Sequence, residues 1–115
     1  MNYKLAKKLK KAGFPQKIKY GEWYFENVKK QGDELICNVS YGQELDSMII
    51  TKCPNLSELI EACGGKFAEL QKNGSFTRYT PKTCKWIAWG ISKDKNGDGE
   101  TPEEAVANLW LETLI

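Results

Sequence analysis

Any catalytic scheme for this chain has to work without histidine, because its 115 residues contain none. The usual general base at neutral pH is therefore missing. Ser-His-Asp and Cys-His nucleophile arrangements are ruled out on the same ground. The remaining reactive groups are carboxylates, lysines and four cysteines, Cys37, Cys53, Cys63 and Cys84. No Cys-x-x-Cys pair is present, whereas structural zinc sites draw on such pairs or on histidine. A disulfide framework is not expected in a cytosolic protein of this size. The cysteines are thus read as reduced thiols, mostly buried, acting as small hydrophobes. No pairing of carboxylates asks for acid–base work. The expectation is a protein that is not an enzyme and uses no cofactor and no metal.

Three other groups of residues could bind something. The first is a block of lysines: Lys4, Lys7, Lys8, Lys10, Lys11, Lys17 and Lys19 all precede the first acid, Glu22. The rest of the chain holds 10 basic and 15 acidic residues, which brings the net charge to +2. Such asymmetry points to an anionic partner: nucleic acid, a nucleotide or an acidic protein face. A sequence-reading nucleic-acid module would also need a recognised fold, a higher pI or interleaved aromatics, none of which is seen. Lys4, Lys8 and Lys11 are the candidate contacts on this segment.

The second group is Asp94-Lys-Asn-Gly-Asp-Gly-Glu100. It matches the start of an EF-hand loop, with oxygen ligands at positions 1, 3 and 5 and the turning Gly99. The match then fails, since position 12 is Ala105 where a bidentate Glu is needed. A turn between strand and helix accounts for the same residues, and a weak ion is the most this loop would hold. The third group is aromatic: Trp23, Tyr24, Phe25, Trp86 and Trp89. On a strand, Trp86 and Ala88 point one way, and Lys85, Ile87, Trp89 and Ile91 the other. An outward Trp next to Lys82 or Lys85 could anchor a protein partner or stack a base, with Lys85 and Trp89 the candidate contacts.

The elements that must position these residues follow from local patterning. Asn2 caps a first helix, Leu5, Ala6, Leu9 and Ala12 give it an apolar face, and Gly13 ends it. Residues 22–26 and 34–40 predict a hairpin about a turn at 30–33, and residues 48–51 a third short strand. Asn55 and Glu58 have capping-box spacing ahead of a helix through Leu56, Leu59, Ile60 and Cys63. Gly64-Gly65 stops it, and residues 66–70 are expected to add another helical turn packing Phe67 and Leu70. Residues 76–80 and 82–92 predict a second hairpin joined near Pro81. Residues 94–100 are expected as a loop. Thr101 caps the last helix, with Pro102 at its first position and Glu103 and Glu104 facing the positive end of the dipole. Val106, Leu109, Trp110 and Leu114 form its apolar face. Leu111 and Ile115 lie off that face and offer a contact for a homodimer or another partner.

The chain is long enough to bury a core without staples. The expected fold class is α+β: a single domain over 1–115, with an antiparallel sheet of about five short strands packed by three helices. No apolar run is long enough for a transmembrane helix, and the lysine-rich start lacks the apolar stretch of a signal peptide. The expected location is the cytoplasm, with no membrane partner.

Three segments carry a resemblance: Tyr3–Gln16, Leu56–Gly64 and Thr101–Leu111. Together they resemble a group of small proteins from tailed bacteriophages and prophages. The resemblance brings no catalytic residues, so no role is carried over to any position. It implies a phage accessory protein acting in the bacterial host cytoplasm, of the kind used in host takeover or anti-defence. The resulting expectation is a non-catalytic inhibitor that binds a bacterial host or defence protein. The alternatives are a sponge that sequesters a signalling nucleotide and a purely structural or assembly role.

Overall fold

The computed structural model describes residues 1–26, 35–37, 50–73, 85–92 and 94–114. They form three α-helices and two three-stranded antiparallel sheets, so the α+β class holds, but the strands do not make one sheet. The contacts gather into two compact units, Met1–Asn55 and Leu56–Ile115.

The first unit opens with helix α1 (Tyr3–Lys11). Its start is set by Asn2, whose Oδ1 accepts the Leu5 N–H at 2.8 Å. This satisfies one of the backbone donors left over in a first helical turn. Its end is set by Gly13 at φ +97°, a left-handed conformation that glycine adopts without strain. Phe14 N–H then donates to Leu9 O at 2.9 Å and Gly13 N–H to Lys10 O at 3.1 Å, the paired bonds of a Schellman ending. Leu5, Ala6 and Leu9 are buried at the spacing the sequence predicts, and Phe14 is buried with them.

Strands β1 (Trp23–Glu26), β2 (Leu35–Cys37) and β3 (Ile50–Cys53) form the first sheet in the order β2-β1-β3. The predicted antiparallel pairing of β1 and β2 is present, with Trp23 opposite Cys37 and Phe25 opposite Leu35, while the turn expected at 30–33 lies outside the described residues. On the other side of β1, Trp23 lies opposite Cys53 and Phe25 opposite Thr51. The third strand ends two residues further on than expected, and the first two residues of that expectation, 48 and 49, lie outside the described residues. The ring of Tyr3 on α1 meets Phe25 edge-on at 5.3 Å, which helps seat the helix on the sheet.

The chain between α1 and β1 is tied down by polar bonds. Gln16 Nε2 donates to Phe14 O at 2.9 Å, and Gln16 Oε1 accepts the Lys52 N–H at 2.9 Å. The buried Lys52 side chain donates to Lys17 O at 2.6 Å and pairs with Glu22 Oε1 at 3.3 Å. The same Glu22 oxygen accepts the Lys19 N–H at 2.6 Å. Lys52 is thus a cation placed inside with both a carbonyl and a carboxylate to receive it, which is the condition for burying a charge. Lys10 Nζ donates to Ile50 O at 2.6 Å and so joins α1 to β3.

The second unit begins with α2 (Leu56–Cys63), which ends in a 3₁₀ turn at Gly64–Lys66. Strands β4 (Phe67–Asn73), β5 (Lys85–Gly90) and β6 (Asn96–Gly99) follow, in the order β4-β5-β6. Helix α3 (Pro102–Thr113) closes the chain. Two expectations are corrected here. Residues 67–70 are strand rather than a further helical turn: pairing with β5 along Glu69–Asn73 outweighs the helix propensity of Ala, Glu, Leu, Gln and Lys. Residues 96–99 are a strand inside the segment expected as a loop, paired with Trp86–Trp89. The expected strand at 76–80, Cys84 and Ile115 lie outside the described residues.

The strand Asn96–Gly99 has almost no strand propensity, and α3 explains it. A Cβ on Gly97 would run into the backbone N of Leu109 and the backbone O of Ala105, so the helix rests on bare main chain. Asn108 Nδ2 donates to Asp98 O at 2.8 Å and holds the pair in place. The helix starts as predicted: Thr101 Oγ1 accepts the Glu104 N–H at 3.2 Å, with Pro102 in the first turn. Ala105, Val106, Ala107, Leu109 and Trp110 are buried, whereas Leu114, expected on the apolar face, is 52% exposed in the last residues of the helix end.

Candidate functional site

Among the described residues, the lysine face of α1 is a sequence-predicted group that the fold assembles. Lys4, Lys7, Lys8 and Lys11 fall at spacings of three and four residues and share one stripe of the helix. All four are exposed. With Lys10 and Thr51 they line an open depression of 740 Å³ between α1 and β3. Lys10 is the structural member, through its bond to Ile50 O. Lys7 Nζ sits 5.2 Å from the centre of the Tyr3 ring, a cation–π distance. No acidic residue occurs in α1, and its lysines include Lys8, Lys10 and Lys11 in the last turn, where they oppose the negative end of the helix dipole.

A second feature of the same unit is Trp23, which belongs to the aromatic group of the sequence but is not among the expected contact residues. Trp23 lies on β1, the central strand, yet it is 46% exposed, while Phe25 two residues on is only 3% exposed. Strand alternation puts both rings on one face of the sheet. Tyr3 covers the Phe25 end. At the other end Trp23 is flanked across the sheet by Cys37 and Cys53, and Leu35 (40%) and Tyr20 (53%) are exposed in the same unit. The period-two pattern shows that Trp23 and Phe25 share a face, but it does not show how far a helix will cover that face.

Lys85 and Trp89 belong to the second unit, so they do not extend the α1 stripe within one unit. Lys85 is the first residue of β5 and pairs with Asn73, and Trp89 pairs with Glu69 and Asn96. The expected division of the two β5 tryptophans into one inside and one outside does not occur: Trp86 and Trp89 are both half-buried. The reason is the sheet register. Ala88, opposite Gly97, takes the place nearest to α3 and is fully buried. Trp89 borders a depression of 350 Å³ with Ala68, Glu69, Gly90 and Ile91.

The cysteines divide by environment. Cys63 is buried at the end of α2, and burial raises its thiol above the ordinary value of 9.0. That keeps it protonated and a poor nucleophile. Cys37 and Cys53 are half-buried thiols on strands separated by β1. Two strand spacings put their backbones about 10 Å apart, beyond the reach of about 7 Å for a disulfide.

The segment of the EF-hand likeness, residues 94–100, contains β6. Calcium loops curl positions 1, 3 and 5 around one point, whereas residues 96–99 are extended. The side chain of the exposed Asp94 instead accepts the Ser92 hydroxyl, and that bond is the main cause of its lowered pKa. Among the described residues, no three Cys, Asp or Glu side chains are grouped as metal ligands would be. No described helix is long and apolar enough to cross a membrane.

The chain matches no protein-family model, and comparison with curated proteins and with solved structures finds no significant match.

Proposed function

We propose that the chain is a phage-encoded, non-catalytic accessory protein that binds and inhibits a bacterial host or defence protein in the host cytoplasm. The observation behind this is Trp23, a large ring left 46% exposed on a central strand. Half-exposed tryptophans with apolar neighbours are the residues that dominate binding energy at protein interfaces. Leu35 and Tyr20 would enlarge the contact, and the positive field of the α1 lysines would draw in an acidic partner and raise the association rate.

A capture experiment tests this reading. Tagged protein and a Trp23→Ala variant are incubated with lysate of a bacterial host, and bound proteins are identified by mass spectrometry. The reading expects one stoichiometric partner, retained by the native chain and lost by the variant, whose activity falls when the purified components are mixed. Equal capture by both would sink the Trp23 assignment.

The nucleotide-sponge alternative has one observation in its favour, a lysine-lined depression within the range of about 300–1,000 Å³ common for small-ligand sites. It predicts a rise in melting temperature with a nucleotide panel, since a ligand that binds only the folded state stabilises it.

A further inference from the structure

We infer that the lysine face of α1 binds the phosphate backbone of a nucleic-acid strand, without reading its sequence. This goes beyond the protein-binding reading above, which places its contacts at Trp23, Leu35 and Tyr20 and takes only long-range attraction from the α1 lysines, so separate variants test the two.

The chemistry of the lining leads to this ligand. The depression is bordered by Lys4, Lys7, Lys8, Lys10, Lys11 and Thr51, with no carboxylate among them. Lys4, Lys8 and Lys11 have exposed side chains on one stripe. The helical rise places Lys4 and Lys8 about 6 Å apart along the axis, and Lys4 and Lys11 about 10 Å apart. That is a row of ammonium groups suited to consecutive phosphates on an extended strand. The negative end of the α1 dipole amounts to about half a charge and is outweighed by the lysines of the last turn.

The same lining argues against the other anions. Lysine is depleted in protein–protein contacts, which rely on aromatic and arginine anchors, and the depression has neither. A nucleotide would need a ring or polar pocket for its base. The ring that α1 itself carries, Tyr3, is already packed on Phe25 and covered by Lys7. What remains is attraction between ammonium groups and phosphates, which is indifferent to the bases and strongly dependent on salt.

The test is fluorescence anisotropy with labelled single-stranded oligonucleotides of differing base composition, in a salt series. Three phosphate contacts on a single strand give a slope of log K against log[salt] of about −2, so affinity falls about 20-fold between 50 and 200 mM salt. Equal affinity for the different sequences is expected. The variant Lys4→Glu/Lys8→Glu/Lys11→Glu should lose binding, while Lys4→Arg/Lys8→Arg/Lys11→Arg retains it and Trp23→Ala leaves it unchanged. Circular dichroism checks that each variant is folded. If the Glu variant does not fold, Lys4→Gln/Lys8→Gln/Lys11→Gln replaces it, with a loss of at least tenfold expected. No binding at 50 mM salt overturns the inference, as does equal binding by the charge-altered variants. Displacement of the oligonucleotide by equimolar polyglutamate or by ATP also overturns it, in favour of an acidic protein or a nucleotide respectively.

Discussion

Two contacts between helix and sheet among the described residues are made in opposite ways. Helix α3 lies against β6 main chain to main chain, where Gly97 faces the backbone of Ala105, Asn108 and Leu109. Helix α1 is joined to its sheet by side chains, with the Tyr3 ring on Phe25 and the Lys10 ammonium on Ile50 O. A backbone-to-backbone contact fixes one geometry and tolerates no added atom. A contact through side chains at one edge fixes the helix more loosely and leaves its other side to solvent. The exposed lysine stripe belongs to the second kind, and five consecutive or near-consecutive buried residues of α3 belong to the first.

The sharpest way to break this comparison is at Gly97. Gly97→Val would force a side chain into the backbone of α3. A loss of at least about 3 kcal/mol is expected, above the usual cost of overpacking because the colliding atoms are main chain. Urea unfolding would measure it, and a change below 1 kcal/mol would mean that the helix can slide off β6.

In the first unit the most sensitive position is a charge instead of a glycine. Lys52→Met removes a buried ammonium and leaves Lys17 O and one Glu22 oxygen without that donor. Breaking a buried pair from one side costs about 3–5 kcal/mol. Because Glu22 keeps some contact with water and accepts the Lys19 N–H, about 2 kcal/mol is expected. The same urea experiment compares it directly with Gly97→Val.

The smallest effect concerns Cys63. Its folded pKa is raised by burial above the ordinary 9.0. Its contribution is therefore complete below that value, and stability is lost as pH rises and the unfolded thiol ionises while the folded one does not. The slope from this one group is at most about 1.4 kcal/mol per pH unit. Cys63→Val should flatten the alkaline part of the stability profile. An unchanged slope would place the alkaline sensitivity elsewhere.

The helices were legible in the sequence and most of the second sheet was not. Asn2, Gly13, Thr101 and Pro102 announce helix ends through bonds made within a few residues, and such local signals need no knowledge of the rest of the fold. The strand at 67–73 is spelled in helix-forming residues, and only its pairing with β5 makes it extended. The glycines at 97 and 99 look like a turn or an ion loop because the reason for them, α3, begins at residue 102. The candidate site divides in the same way. Lys4, Lys8 and Lys11 were readable from helical spacing, and Lys7 follows from the same rule. Trp23 was passed over for Trp89 because alternation assigns faces without saying which part of a face a helix will cover.

The side-chain bonds along β3 have a consequence for how the protein behaves in a crowded solution. The outward-facing N–H of Lys52 is occupied by the Gln16 amide, and the outward-facing C=O of Ile50 by the Lys10 ammonium. Gln16 thereby stands where the peptide group of a fourth strand would be. An edge strand with free donors and acceptors is a template for growth by other chains. Here an incoming strand would have to displace an amide and an ammonium that are already bonded, so two side chains from outside the sheet guard this border against intermolecular sheet growth.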